Sequence, residues 1–466
     1  MSKICFLIPD GVGIRNYLYS TVLKELHDQG HQIHIWHSLE EEVVSLTESI
    51  NGFRPYSHSL SSFPEDAVTQ ILRESVAFAR LVNNVKLTGN QTLMSNWSFG
   101  NPGLKKKILI KLAAWLGGSL KKYDSILAVE SLLWKKLRNT YSYKYSQEKL
   151  KEIAPDFLFC THQRMPGASA AMLAAKDMGI QTASAIFSWD NLPKARLAMR
   201  PHHYLVWSEY MKEELKLYYP ELPQDSIQIT GTPQFDYYSD PSLIQSREDF
   251  AAEFGLDPSK HWILFSGDDI KTSPYDADYL RDIANALKGE ENLQIIFRQV
   301  PVETTARYKS VLQAFPNIIH INPFWKRGEF WQQFFPYPKD LSHLVNLAFH
   351  CDTVINLGST MALDFAFFDK PALYLNYDHT PDQTWTVKEI YGFQHFRSMD
   401  GLDPVGWISD PNTILSQVKK AIDFPQEVGK DRRKWLEKIV DLSTEKTASA
   451  KIAAFIDQLV PNLQTK

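Results

Sequence analysis

Short apolar runs alternate with amphipathic stretches along the N-terminal part of the chain. Residues 4–8 are continuously apolar, as in a buried parallel strand, and residues 9–13 have the Pro, Asp and Gly content of a turn. From Ile14 to His27 the apolar side chains recur at helical spacing, and residues 32–37 alternate as a second strand. This strand–helix–strand order predicts a right-handed crossover between parallel strands.

The same rhythm is repeated in two blocks. The first block has predicted strands at residues 156–160, 181–187, 203–207 and 226–230. Polar or glycine-rich residues follow the carboxyl end of each strand, and we call this position the strand exit. After a predicted linker, the second block has strands at residues 261–265, 293–297, 353–357 and 372–376. The periodicity predicts an α/β protein with two Rossmann-like parallel-sheet domains that face a cleft. We expect an N-terminal domain at 1–238, a C-terminal domain at 239–440, a final helix at 441–466 that packs back, and an active site in the cleft.

Composition narrows the class of protein. The 466 residues carry 50 Lys and Arg against 54 Asp and Glu, a net charge of −4, so no nucleic-acid partner is expected. Three dispersed cysteines without a Cys-x-x-Cys pair argue against disulfides and structural zinc, and no metal is assigned. Because the N-terminus lacks a signal-peptide pattern and no apolar run is long enough to span a bilayer, we expect a cytoplasmic protein.

One basic segment, residues 105–122, departs from this balanced charge. It carries six lysines, and its apolar residues are predicted to fall on one helical face: Ile108, Leu109, Leu112, Ala113, Leu116 and Leu120. The pattern is typical of an amphipathic helix on an anionic membrane, and it predicts peripheral attachment to the inner membrane face. A core helix with a solvated lysine face fits the same pattern, and the Gly117-Gly118 pair weakens a helix.

The turn Gly358-Ser359-Thr360 is the strongest candidate binding site in the sequence. It stands between a predicted strand and a predicted helix, where free backbone N–H groups and the helix dipole favour an anion such as phosphate. Asp364 lies one helical turn beyond Thr360 and could accept hydrogen bonds from ribose hydroxyls. An ordinary Ser/Thr helix cap explains the same residues.

A family resemblance becomes visible at this turn. The run 354–364, followed by Asp369-Lys370-Pro371, resembles the donor-binding segment of GT-B-fold glycosyltransferases, with Asp364 in place of the usual Glu and Asp369 in place of the usual Gly. Residues 188–192, 207–209 and 231–236 are similar to bacterial capsule, O-antigen and teichoic-acid-type transferases, including relatives of CDP-glycerol glycerophosphotransferase. The resemblance covers roughly residues 155–380 and implies nucleotide-sugar chemistry in polysaccharide biosynthesis, with the nucleotide sugar as co-substrate and no further cofactor.

Inverting sugar transfer requires a general base that takes the proton of the acceptor hydroxyl. Three side chains at predicted strand exits are candidates: Asp190, Asp10 and His162. The acceptor is expected at the same edge, with these residues: Gly11, Gly13, Arg15, Trp189 and Asn191. A tight turn explains the two glycines equally well, and an Asp-Asn turn explains Asp190.

In the second domain, Ser266, Gly267 and Arg298 follow predicted strands and are expected to hold the donor diphosphate. A surface ion pair is the alternative role for Arg298. The pair Asp276 and Asp278 matches an acidic metal-binding pattern, but it precedes a helix and is interpreted as helix-start acidity.

Together with the two-domain pattern, the resemblance implies a metal-independent GT-B glycosyltransferase. It would move a sugar from a nucleotide-sugar donor to a bacterial glycan or lipid-linked acceptor. Two alternatives within the same fold remain open: a nucleotide-sugar epimerase and a polyol-phosphate transferase that uses a CDP-polyol. The polyol-phosphate alternative is disfavoured because Gln299 follows Arg298 where related phosphotransferases have a His.

Overall fold

The structure, a computed structural model, describes residues 1–11, 13–100, 102–380, 385–442 and 446–460. Val12 of the predicted glycine-rich loop, and residues 443–445 and 461–466 of the predicted C-terminal segment, lie outside this description. Within the described residues, no helix has both the length and the apolar character needed to cross a membrane.

The chain divides into two compact units. The first unit comprises Met1–Pro233, Phe393–His395 and Ile439–Lys466, and the second comprises Gln234–Gly392 and Phe396–Lys438. The chain therefore leaves the first unit after Pro233, returns to it briefly at Phe393–His395, and returns again at Ile439.

A seven-stranded parallel sheet forms the centre of the first unit. Its strands are β1 (Lys3–Ile8), β2 (Gln32–His37), β3 (Tyr56–Ser59), β4 (Phe157–Cys160), β5 (Gln181–Ala185), β6 (His203–Val206) and β7 (Ile227–Ile229). They are ordered β3-β2-β1-β4-β5-β6-β7, so β1 and β4 are neighbours at the centre, with Phe6 opposite Phe159. Both central strands are buried along almost their whole length, which explains their continuously apolar sequences.

The described part of residues 1–233 contains eight α-helices. They are α1 (Val22–Asp28), α2 (Glu42–Asn51), α3 (Ala67–Thr88), α4 (Leu104–Ser119), α5 (Tyr123–Leu137), α6 (Tyr141–Ile153), α7 (Pro166–Asp177) and α8 (Glu209–Tyr218). The longest, α3, is fixed at both ends by its sequence. The Asp66 carboxylate accepts hydrogen bonds from the first-turn amides of Val68 and Thr69, and Gly89 ends the helix at a φ of 68°.

The first predicted helix, Ile14 to His27, is wrong in detail. Ile14–Leu18 forms a short π-helix, in which the amide of Tyr19 donates to the carbonyl of Ile14, and the α-helix α1 begins only at Val22. Apolar spacing does not separate these forms, because one inserted residue changes the hydrogen-bond ladder without removing the apolar face.

The predicted single apolar face of residues 105–122 is also wrong. In α4, Ala113 and Gly117 are buried, and a Cβ atom at Gly117 would lie 2.5 Å from the Ser75 carbonyl oxygen of α3. A second apolar set on α4 is exposed, and it comprises Leu104, Ile108, Leu112 and Trp115. The sequence pattern merged these two faces because both are apolar.

A six-stranded parallel sheet and a two-stranded ribbon form the second unit. Its strands are β8 (His261–Ser266), β9 (Leu293–Arg298), β10 (Ile319–His320), β11 (Trp325–Lys326), β12 (Phe335–Pro336), β13 (Thr353–Asn356), β14 (Ala372–Leu375) and β15 (Gly406–Ile408). The sheet order is β10-β9-β8-β13-β14-β15, and β11 pairs antiparallel with β12. Strands β8 and β13 are therefore central neighbours, and their carboxyl ends lie side by side.

The helices of the second unit and the C-terminus complete the fold. They are α9 (Arg247–Phe254), α10 (Asp276–Ala286), α11 (Lys309–Ala314), α12 (Pro338–His350), α13 (Met361–Phe367), α14 (Val387–Tyr391), α15 (Ile414–Asp423), α16 (Arg432–Ile439) and α17 (Ala448–Leu459). Helix α17 packs against α1, and the Asp457 carboxylate lies 2.9 Å from Nε2 of His31. The C-terminal helix thus packs back on the first unit, as predicted.

Candidate functional site

Two of the three predicted bases meet at the carboxyl ends of the central strands of the first unit. Asp10 follows β1 and His162 follows β4; because these strands are neighbours, Nδ1 of His162 lies 2.7 Å from Oδ2 of Asp10. The Asp10 side chain is fully buried and His162 is 6 % exposed. A buried carboxylate at this distance is the partner that holds an imidazole in one orientation.

The pairing with Asp10 uses only one of the two ring nitrogens of His162. A carboxylate accepts hydrogen bonds, so in the neutral form of the imidazole the Asp10 contact places the proton on Nδ1 and the lone pair on Nε2. Nε2 is buried and has no hydrogen-bond partner within the described residues. This arrangement, an oriented imidazole with an unused nitrogen, is the one a general base requires.

Asp190, the remaining predicted base, lies in a different environment. Its carboxylate forms an ion pair with Lys194 and accepts a hydrogen bond from Nδ2 of Asn191 at 2.8 Å. Burial alone would raise the pKa of Asp190, but the nearby charges of Lys194 and His395 outweigh that effect and hold the pKa well below its usual range. A carboxylate with a lowered pKa is a weak base, so the geometry favours His162 over Asp190.

Glu214 is a titratable residue of this region that the sequence analysis missed. It lies on α8, is 7 % exposed, and neither carboxylate oxygen has a hydrogen-bond partner within the described residues. Burial, followed by the negative charge of Asp190, raises the pKa of Glu214 to about 8. Glu214 can therefore hold a proton at neutral pH and act as a proton donor. Its place on the buried stripe with Met211, Leu215 and Tyr218 was readable from helical periodicity.

The remaining predicted acceptor residues are mostly buried within the first unit. The Trp189 ring is buried and packs edge to face on His395, with ring centroids 4.7 Å apart, so this packing does not favour the predicted contact of Trp189 with an acceptor. Asn191 is also buried and links Asp190 to Gln163, whose Nε2 donates to Oδ1 of Asn191 at 3.2 Å.

The glycine-rich loop after β1 is shaped by packing. A Cβ atom at Gly13 would clash with the Thr161 side chain, and the Gly11 carbonyl accepts the amide of Ile14 at 3.4 Å. The predicted backbone approach to an acceptor is thus not needed to explain Gly13. Arg15 is half-buried, and its Nε donates to Oδ1 of Asn16 at 3.3 Å.

The predicted phosphate turn of the second unit, Gly358-Ser359-Thr360, follows β13. Gly358 has a φ of 70°, and its backbone packs against the Phe396 ring. The Ser359 amide donates to Oδ1 of Asn356 at 2.9 Å, so one of the expected anion donors already has a partner. Thr360 is exposed and begins a helix of two turns, α13. Asp364 is buried on α13 and accepts a hydrogen bond from Nε2 of Gln234 at 3.3 Å.

Asp268 is a second acidic residue that the sequence analysis did not assign. It follows Ser266 and Gly267 at the end of β8, the strand that pairs with β13, and the phosphate turn follows β13. Burial, followed by the charges of Asp269 and Asp276, raises the pKa of Asp268 to about 8. A carboxyl group that keeps its proton at neutral pH can donate a hydrogen bond to an anionic ligand.

Asp276 and Gly267 hold this loop together. Asp276 accepts hydrogen bonds from the Ser273 and Tyr308 hydroxyls and from the Asp268 amide. Asp276 is therefore a buried residue that links these three residues, and not simply a solvated charge at the start of a helix. A Cβ atom at Gly267 would lie 2.7 Å from the Tyr308 hydroxyl, which explains the glycine. The described residues contain no group of three His, Cys, Asp or Glu side chains arranged to hold a metal ion.

Arg298 forms a buried ion pair with Asp340. Its Nη2 lies 2.8 and 2.9 Å from the two Asp340 oxygens, and only 5 % of the residue is exposed. Arg298 thus forms an ion pair, but a buried one and not the surface ion pair that the sequence offered as its alternative role. Because Asp340 already neutralises the guanidinium, we do not assign Arg298 to the donor diphosphate.

Comparisons with known proteins identify the fold. Neither a protein-family model nor a curated protein matches the sequence. The S. aureus MnaA–UDP co-structure is 11 % identical, covers 98 % of this chain and 96 % of its own, and has a TM-score of 0.54. UDP-GlcNAc 2-epimerase from Neisseria meningitidis, bound to UDP-GlcNAc, is 10 % identical in sequence and has a TM-score of 0.51. The match covers 98 % of this chain and 99 % of the epimerase chain.

A putative UDP-N-acetylglucosamine 2-epimerase from Listeria monocytogenes gives a similar result, with 9 % identity, coverage of 98 % and 96 %, and a TM-score of 0.53. At such low identity the likeness shows the fold alone. The predicted two-sheet GT-B fold is therefore confirmed. The predicted glycosyltransferase family and the relation to CDP-glycerol enzymes are not supported by these neighbours.

Proposed function

We propose that this protein is an enzyme that acts on a nucleotide sugar and epimerises a ring carbon of the sugar. The observation that carries the proposal is the buried Asp10–His162 pair at the carboxyl ends of β1 and β4, with Nε2 of His162 unpartnered within the described residues. The neighbours named as UDP-GlcNAc 2-epimerases support this reaction over sugar transfer, and UDP-N-acetylhexosamines are the substrates to test first.

Epimerisation breaks a C–H bond and remakes it on the opposite face of the ring, so it needs a proton acceptor and a proton donor. His162 is the proposed acceptor, because Asp10 stabilises the imidazolium that forms when Nε2 takes the proton. Glu214 is the proposed donor candidate in the same unit, because its carboxyl group keeps a proton near neutral pH. In the second unit, Asp268, Ser359 and Thr360 are the proposed contacts for the nucleotide diphosphate.

The test is incubation of the full chain with UDP-GlcNAc in D₂O, without any acceptor, followed by NMR and mass spectrometry. We expect a new epimer that carries solvent deuterium at the inverted carbon. His162→Gln should abolish both signals, whereas His27→Gln, at an exposed histidine of α1, should leave them unchanged. The absence of UDP-sugar binding by calorimetry, or deuterium incorporation that survives His162→Gln, would refute the proposal.

Sugar transfer to a glycan or lipid-linked acceptor is the second candidate. One observation favours it. The exposed apolar and basic face of α4 could bind a membrane surface, where lipid-linked acceptors lie. A transferase would use His162 to activate the acceptor hydroxyl. It would release UDP only with an acceptor present and would incorporate no deuterium into the donor sugar, so the same experiment separates the two candidates.

A further inference from the structure

Helix α4 has two apolar faces, and only one of them is covered. The covered face packs on α3 through Ala113 and Gly117, and a Cβ atom at Gly117 would lie 3.1 Å from Cβ of Phe78 as well as close to the Ser75 carbonyl. This close approach fixes the rotation of α4, because a rotated helix would bring a larger side chain to the same place.

The uncovered face is a continuous apolar stripe. It consists of Leu104, Ile108, Leu112 and Trp115, which are 44–75 % exposed. At about 100° per residue, these four positions fall within an arc of about 80° on the side opposite Ala113. Soluble proteins normally avoid exposing such a stripe on a single helix, so a ligand or partner surface is expected there.

The charges around the stripe are all positive. Lys105 flanks it on one side and Lys107 and Lys111 on the other, all three are exposed, and α4 contains no acidic residue. In the part of the chain that the structure describes, these lysines have no ion-pair partner. Lys105 and Lys107 also lie in the first turn, where the helix dipole disfavours positive charge, so an external anionic surface would stabilise the helix.

We propose that this stripe, Leu104, Ile108, Leu112 and Trp115 with its flanking lysines, docks the protein on an anionic lipid bilayer. Apolar side chains with a Trp would enter the headgroup–acyl boundary while the lysines contact lipid phosphates. A second copy of the chain is the less suitable occupant, because a symmetric contact would place the same lysines against each other. The proposal rests on this surface and not on the proposed activity.

The experiment is flotation of the full chain with vesicles of phosphatidylcholine alone and of phosphatidylcholine mixed with phosphatidylglycerol. We expect binding to the anionic vesicles, weaker binding to the neutral ones, and loss of binding at high salt. Ile108→Ser with Trp115→Ala should lower the partition coefficient by about tenfold or more, since much of the inserted apolar area is removed. Lys105→Gln with Lys111→Gln should lower it by about fivefold per lysine, on anionic vesicles only.

Matched controls test whether the effect belongs to this surface. Leu217→Ser on α8 removes a comparably exposed leucine, and Lys144→Gln with Lys151→Gln removes two exposed lysines of α6; neither should change flotation. Thermal melting verifies that each variant is folded. The proposal would be overturned if the wild type did not float, or if the Ile108→Ser, Trp115→Ala double variant floated as well as the wild type. It would also be overturned if the wild type formed a dimer that this double variant dissociates. A protein that floats as expected but binds no UDP-sugar would refute only the proposed function.

Discussion

His162 and Asp10 are 152 residues apart in sequence, yet Nδ1 of the histidine lies 2.7 Å from Oδ2 of the aspartate inside the first unit. Both side chains leave the sheet at its carboxyl-end edge, where ligands of parallel α/β sheets bind. An imidazole with a buried carboxylate on one nitrogen and no partner on the other within the described residues is arranged for proton transfer.

The first prediction tests this pair. Asp10→Asn keeps the size of the side chain but removes the charge that stabilises the imidazolium, and it lets the ring adopt the wrong tautomer. We expect kcat to fall by about 10²- to 10⁴-fold with little change in the dissociation constant of the UDP-sugar. Steady-state kinetics and calorimetry measure the two quantities. Asp28→Asn, at an exposed aspartate of α1, is the control and should behave as wild type. Equal losses of binding and kcat would indicate that Asp10 acts on structure alone.

The second prediction concerns the phosphate turn. At Gly358 an alanine must adopt a φ near 70°, and its Cβ would lie 2.8 Å from Cζ of Phe396. We expect Gly358→Ala to destabilise the protein by about 2–4 kcal/mol and to weaken UDP binding, because strain and crowding add. Gly401→Ala is the matched control: its φ is 78°, but no atom lies within 4 Å of the new Cβ, so the cost should be about 1–2 kcal/mol. Denaturant unfolding gives both values, and equal costs would contradict the role of Phe396.

The third prediction concerns Arg298. Removing one member of a buried ion pair leaves the other charge without a partner, so Arg298→Met should lower the free energy of unfolding by about 3–5 kcal/mol. Lys419→Met breaks a more exposed pair with Glu290 and should cost less than about 1 kcal/mol. At temperatures where Arg298→Met remains folded, UDP affinity should match the wild type. A loss of UDP affinity in a folded Arg298→Met protein would indicate that Arg298 contacts the donor diphosphate after all.

Much of the fold was predictable because the central strands are buried on both faces and therefore read as short, continuous apolar runs. The edge strand β3, with the sequence Tyr-Ser-His-Ser, was missed because its side chains are polar and mostly exposed. The π-helix at Ile14–Leu18 was missed because it preserves the helical apolar spacing.

The candidate site was predictable only as separate residues. Strand exits pointed to Asp10 and His162, but their contact depends on β1 lying beside β4, a long-range pairing that no local pattern contains. The same limit applies to Arg298, whose partner Asp340 comes from a helix 42 residues further along the chain. The surroundings of the two side chains, and not their residue types, favour His162 over Asp190 as the base.

The last prediction follows from Glu214, whose pKa is raised from 4.5 to about 8 in the folded protein. Below pH 4.5 both the folded and the unfolded chain hold the proton, and above pH 8 neither does. Between these values only the folded chain keeps it, so the contribution of Glu214 to stability falls as pH rises from about 5 to 8. Glu214→Gln cannot ionise. Across this window we therefore expect the free energy of unfolding of the wild type to fall by several kcal/mol relative to that of Glu214→Gln. Denaturant unfolding at a series of pH values measures the difference. Glu213→Gln, at the exposed neighbouring residue, is the control and should show no such trend. A constant difference between wild type and Glu214→Gln would mean that Glu214 is already ionised at neutral pH and cannot serve as the proton donor.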